Sequence, residues 1–260
     1  MMNRIDQLLT ASHNILSVFY TAGFPTLSST AEVARSLQAA GADMIEIGIP
    51  FSDPIADGPV IQESNKVALE NGVSVKKILE DVASMRAEIS IPIVLMGYLN
   101  PVLQYGMDNF VRDARKAGVD GVIVPDLPLE EYLRQYQNLF EENQLPVIFL
   151  VSPNTSEERI RAIDQVSRGF IYAVSSSSTT GAKSDFTHEQ ELYFQRLNAM
   201  KLQNPFLVGF GISNHATFQK ASRFSKGAIV GSSFITLLKK SKNLRQDVAD
   251  FVKELKGTNS

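Results

Sequence analysis

The stretch AAGADMIEIGIPFSDPIADGP, residues 39–59, holds a helix end, an apolar strand and a polar turn in direct succession. A Gly just past a helix supplies the left-handed residue that ends it, so Gly41 closes the amphipathic segment STAEVARSLQAAG that leads into the stretch. The strand follows almost at once. Side chains alternate along DMIEIGI (43–49), which sets Ile45, Ile47 and Ile49 on one face and Met44, Glu46 and Gly48 on the other. The Ile face is built to pack on helices, and Glu46 turns the opposite way, beside a Gly that leaves free volume. The run then dissolves into Pro, Gly and Ser, with Glu46, Asp53 and Asp57 inside twelve residues.

The same punctuation recurs in KAGVDGVIV, and the chain alternates short apolar runs with longer amphipathic ones. Candidate strands are ILSVFY (15–20), DMIEIGI (43–49), IPIVLMG (91–97), DGVIVPD (120–126), LPVIFLV (145–151), GFIYAVS (169–175), PFLVGFG (205–211) and GAIVGS (227–232). Strands separated by helices indicate an α/β protein with a parallel sheet. Eight units without a linker, charge block or low-complexity segment predict a single (β/α)8 TIM barrel over 1–260, with an extra N-terminal helix. A doubly wound open sheet is the alternative. Barrel chemistry gathers at the C-terminal ends of the strands, which is where Glu46 and the acidic turn fall.

Composition narrows the chemistry. The 260 residues are 44% hydrophobic with a net charge of -3, and basic residues are scattered among acids, which argues against nucleic acid. No run approaches the roughly 18 to 20 apolar residues of a membrane span, and the start MMNRIDQLLTASHN lacks the basic-then-apolar order of a signal peptide. The expected location is the cytoplasm. With no Cys and only His13, His188 and His215, widely separated, no thiolate or zinc constellation is visible.

An inward Glu46 costs several kcal/mol to desolvate unless it is paired or protonated. It is either a structural acid satisfied by backbone or a basic partner, or a proton carrier with its pKa raised toward the working pH. Asp53 and Asp57 lie in Asp-Pro and Asp-Gly turns, where local geometry alone favours Asp. Asp57 stands out because its loop leaves the strand that carries Glu46, so both acids can face one bound molecule. Asp53 reads as a loop organiser or partner contact. On the sixth strand Tyr172 opposes Ile171 and Ala173 and can share a layer with Glu46, since layers are filled from alternate strands. Its hydroxyl either orients the carboxylate or substrate, or belongs to an ordinary core aromatic.

Strands seven and eight end in GFGIS (209–213) and VGSS (230–233), each a Gly-containing turn before a helical pattern. Barrels often hold phosphate there, on backbone amides at a helix N-terminus, with STTG (178–181) supplying more donors. No proposed strand contains Lys, which disfavours a Schiff-base aldolase, and Lys183 falls in a polar loop. What remains is a phosphorylated substrate cleaved by proton shuttling among carboxylates. The leaving carbon must then stabilise its own electrons, as an electron-rich heteroaromatic ring does when protonated.

Through TAGFP (21–25), ADMIEIGIPFSDPIADGPVIQ (42–62), MGYLNP (96–101), GVIVPDLP (121–128), GFGIS and GSS the chain resembles, end to end, the tryptophan synthase α-subunit family. The resemblance implies a (β/α)8 barrel that cleaves indole-3-glycerol phosphate to indole and glyceraldehyde 3-phosphate by a retro-aldol reaction, without cofactor or metal. It implies that Glu46 protonates indole C3 and takes the glycerol hydroxyl proton, that Asp57 meets the indole N–H, and that Tyr172 stands beside the reacting centre. Phe19 would line the indole pocket, and Thr180, Gly181, Phe210, Gly211, Gly231 and Ser232 the substrate and phosphate cradle. It also implies an α2β2 complex with a β subunit bordered by the loop from Asp53 to Pro59. A stand-alone lyase and a non-catalytic regulator of the β subunit are the alternatives. Where many family members read Ser-Arg-x-Gly-Val-Thr-Gly after strand six, this chain reads SSSSTTG (175–181), keeping Thr180 and Gly181.

Overall fold

The computed structural model describes residues 3–55, 57–175 and 186–257. Its strands are β1 Ile15–Thr21, β2 Met44–Gly48, β3 Ile93–Met96, β4 Gly121–Ile123, β5 Leu150–Val151, β6 Ile171–Val174, β7 Phe206–Gly209 and β8 Gly227–Val230. They form one parallel sheet in the order β4-β3-β2-β1-β8-β7-β6-β5. Its two ends meet through a parallel bridge between Val122 and Val147, where Val122 N donates to Pro146 O and Ile148 N to Val122 O, each at 2.9 Å. This closure makes the sheet a barrel and rules out the open-sheet alternative.

The strands at the seam are shorter than their apolar runs. β4 stops before Pro125 and the paired part of β5 begins after Pro146, because Pro has no N–H to donate to a ladder. The helix ends follow the expected punctuation: Gly41 (φ 90°) and Gly118 (φ 91°) take the left-handed conformation and donate back to the last turn.

Alternation along the strands divides the core in two. Leu16, Val18, Tyr20, Ile45, Ile47, Leu95, Ile171 and Val208 belong to the layer between sheet and helices. Inside the barrel lie Ile15, Met44, Val94, Ile123, Ile148, Phe170, Tyr172, Leu207 and Ile229. The predicted N-terminal helix, Arg4–Ala11, joins this inner set through Ile5 and Leu9 and so plugs the lower mouth. It is tied there by charge. Asp120, at the start of β4, accepts from Arg86 Nη2 at 2.5 Å, Arg4 Nη1 at 3.0 Å and Ile93 N at 2.9 Å. The bottom is sealed and the chemistry is left to the top.

Candidate active site

Glu46 points into the barrel, as the alternation of β2 requires, and has no exposed surface. Its Oε1 accepts from Ser17 Oγ at 2.8 Å, while Oε2 is buried with no partner among the described residues. No cation among the described residues compensates it. Burial pushes its pKa up from 4.5 to about 8, against a smaller opposing effect of the Ser17 hydrogen bond.

The volume beside Gly48 is not free, contrary to the sequence expectation. Phe19 faces Glu46 in register across the β1–β2 ladder, and its ring covers Gly48 so closely that an added Cβ would sit 2.6 Å from Phe19 Cζ. The other flank of Phe19 approaches Gly231, whose Cβ position is 3.5 Å from Phe19 Cδ1. One aromatic ring therefore links the acid of β2 to the turn after β8. Gly209 plays the same part for Tyr172: a Cβ there would stand 2.3 Å from the Tyr hydroxyl. Tyr172 is thus free to lie across β7, edge-on to Phe210 at 6.4 Å between centroids. Burial first, then the charges of Glu46 and Asp57, raise its pKa well above the ordinary value. Those interactions draw the three residues singled out from sequence into one site, although the hydroxyl that binds Glu46 belongs to Ser17 rather than Tyr172.

Asp57 lies on the turn after β2, its N–H donating to Pro54 O at 3.0 Å. Gln62 Nε2 grips its carbonyl at 2.9 Å, and Tyr98 OH donates to its Oδ2 at 3.3 Å. Burial lifts its pKa from 3.8 to about 6, with the Tyr98 hydrogen bond pulling the other way. Asp53, by contrast, is exposed and accepts from its neighbour Ser52 at 2.5 Å, the local role expected of a turn residue.

On the far side, Phe210 (φ 68°) and Gly211 (φ 77°) form a left-handed pair directly after β7. Ser175 Oγ holds the Phe210 carbonyl at 2.7 Å, and Gln190 Nε2 holds the Ser175 carbonyl at 2.9 Å. After β8, Gly231 is the N-cap of the helix Ser232–Lys240 and supplies no side-chain cap, which leaves first-turn amides open. Ser232 is exposed at that end. Open amides, the helix dipole and a facing backbone turn suit an anion. Thr180 and Gly181 lie outside the described residues.

Ser17, Tyr98 and Ser175 were not singled out from sequence. A small polar residue on the inward side of ILSVFY was the available signal for Ser17. Tyr98 follows a strand end, where no periodicity assigns a direction. The site as a whole combines a buried acid with its pKa raised to about 8, a second acid raised to about 6, an aromatic wall, and a backbone turn and helix end suited to an anion.

The model of the family described as "Tryptophan synthase alpha chain" matches residues 5–259. A tryptophan synthase alpha chain from Parabacteroides distasonis is 52% identical over 256 residues, covering 98% of this chain and all of that one. The crystal structure of tryptophan synthase subunit alpha from Legionella pneumophila superposes with a TM-score of 0.88 at 34% identity, over 98% of this chain and 97% of the other. A chain of the tryptophan synthase complex from Pyrococcus furiosus gives 0.86 at 34% identity, over 95% and 99%.

Proposed function

Because the chain belongs to the tryptophan synthase alpha chain family, we propose that Glu46 and Asp57 are the working carboxylates of its cleavage of indole-3-glycerol phosphate to indole and glyceraldehyde 3-phosphate. The observation that carries this reading is the state of Glu46: fully buried and, among the described residues, paired with no cation and with one oxygen open. A pKa near 8 keeps its proton on at neutral pH.

In this reading Glu46 delivers that proton to indole C3, and the positive charge this creates spreads to the ring nitrogen. Asp57, ionised above about pH 6, accepts the N–H and stabilises the cation. The Glu46 carboxylate then takes the proton of the hydroxyl on the adjoining glycerol carbon. As that C–O becomes a carbonyl, the C–C bond breaks and its electron pair returns to the ring. Glu46 ends as it began, so protons and electrons balance without another group. Phe19 and Tyr172 wall the ring, and Phe210, Gly211, Gly231 and Ser232, with Thr180 and Gly181, hold the phosphate end.

The family acts with a beta subunit, which condenses the released indole onward to tryptophan. We place that partner against the loop from Asp53 to Pro59, where Ile55 is 91% exposed within a few residues of Asp57. No helix among the described residues is long and apolar enough to cross a membrane, and we assign this biosynthetic lyase to the cytoplasm.

The pH dependence of kcat/KM tests the assignment. Cleavage requires ionised Asp57 and protonated Glu46, so the profile is a bell with limbs near pH 6 and 8. Asp57→Asn removes the acid limb and lowers kcat by about 10²-fold, while a phosphorylated substrate analogue still binds. A profile flat from about pH 5 to 9 counts against both roles. Adding a beta subunit to the purified chain raises the rate, whereas a stand-alone lyase shows no response.

A further inference from the structure

We propose that Ser17 is a positioning residue for the cleavage, holding Oε1 of Glu46 so that Oε2 is the atom that carries the travelling proton. This rests on the reading of Glu46 as the proton carrier and adds to it an assignment of its two oxygens.

Ser17 has no exposed surface, and neither does Glu46. Their 2.8 Å hydrogen bond joins β1 to β2 inside the barrel. A serine has a single hydroxyl hydrogen, and here it is given to Oε1. While Ser17 donates to Oε1 it cannot serve Oε2, and Oε2 is the oxygen left to carry the exchangeable proton. Among the described residues Oε2 has no partner, a costly condition for a buried polar atom that ends when it meets a group of the substrate. The proton belongs on Oε2.

Register supports the same division. Ser17 and Phe19 are both inward on β1, with Ser17 opposite Met44 and Phe19 opposite Glu46. The carboxyl is thus held from the layer below its own, while the aromatic wall stands at its level. Among the described residues, the titratable group of another element that interacts with Glu46 is Tyr172 of β6, which stays neutral and also feels Asp57 of the loop after β2. Neither replaces the Ser17 bond.

The test compares Ser17→Ala, Ser17→Cys and Ser17→Thr with the parent enzyme, measuring kcat and KM for indole-3-glycerol phosphate across pH, with Glu46→Gln assayed alongside. Losing a hydrogen bond to a charged group is expected to lower kcat about tenfold and move the alkaline limb upward by about one pH unit, with KM within about twofold. The limb moves up because the Ser17 bond favours the carboxylate, so its removal raises the pKa. Cysteine, a weaker donor of similar shape, shifts the limb in the same direction by less, and Thr restores it. A simple loss of packing would lower stability without moving the limb. An unmoved limb and parental kcat in Ser17→Ala, with Glu46→Gln inactive, overturn the role of Ser17 and leave Glu46 standing. Full activity in Glu46→Gln overturns the underlying reading instead.

Discussion

Glu46→Gln lowers kcat for indole-3-glycerol phosphate by at least about 10²-fold, the usual scale of a positioned proton carrier, and yields a protein more stable than its parent at alkaline pH. Gln preserves the shape and still accepts from Ser17, so the loss isolates the proton. The stability gain follows from linkage. Because the folded-state pKa is raised from 4.5 to about 8, the folded protein binds more protons than the unfolded chain between these values. Stability contributed by the neutral acid is complete below pH 4.5 and falls as pH rises, with the full penalty above about 8. A shift of that size corresponds to on the order of 4–5 kcal/mol. Urea melts at about pH 5 and pH 9 should therefore diverge for the parent and change far less for the variant. Normal turnover by Glu46→Gln would end the proton-carrier account. If the variant also activates a beta subunit normally and the parent shows no cleavage of its own, the chain is a regulator rather than a lyase.

At the opposite mouth, Asp120→Ala is expected to cost about 3–5 kcal/mol of folding stability while the protein that remains folded keeps its kcat. Asp120 is 2% exposed at its side chain and Arg86 is 11% exposed. Removing the acid strands the Arg86 guanidinium, which also donates to the carbonyls of Gly118, Ile89 and Ile91, and leaves Ile93 N without its acceptor. A loss of this size lowers Tm by about 10 °C in a protein of this length. Arg4 is 42% exposed at its side chain, so Arg4→Ala costs less than about 1 kcal/mol and serves as the control. Equal losses in the two variants would show that the N-terminal plug, rather than the buried pair, carries the energy. The contrast with Glu46 is instructive. Of the buried acids, Asp120 is neutralised by arginine, whereas Glu46 has no cation among the described residues, a cost above neutrality that the proposed chemistry would explain.

Much of this arrangement is legible in one dimension. The eight apolar runs, the Gly stops at Gly41 and Gly118, and the inward direction of Glu46 and Tyr172 all follow from local geometry. So does the reading of Asp53 as a loop organiser, since its hydrogen bond is made by its own neighbour. Tyr98 was not legible because residues beyond a strand end have no fixed side-chain direction, and its contact with Asp57 spans 41 positions. Asp120 was visible only as the first residue of an apolar run. Its partners come from the N-terminal helix and the segment before β3.

By itself, then, the order of residues determined which side chains face inward and which strand ends carry acid, because the two-residue alternation of a strand and the left-handed stop of a helix are set by covalent geometry within a few bonds. Only the closed ring decided who meets whom. Ser17 reaches Glu46 from another strand, Phe19 covers Gly48 instead of leaving space there, Tyr172 lies across Gly209, and Val122 meets Val147 at the seam. These meetings depend on the register of parallel strands joined by long crossovers, a quantity fixed by the packing of the whole barrel and carried by no single stretch of sequence.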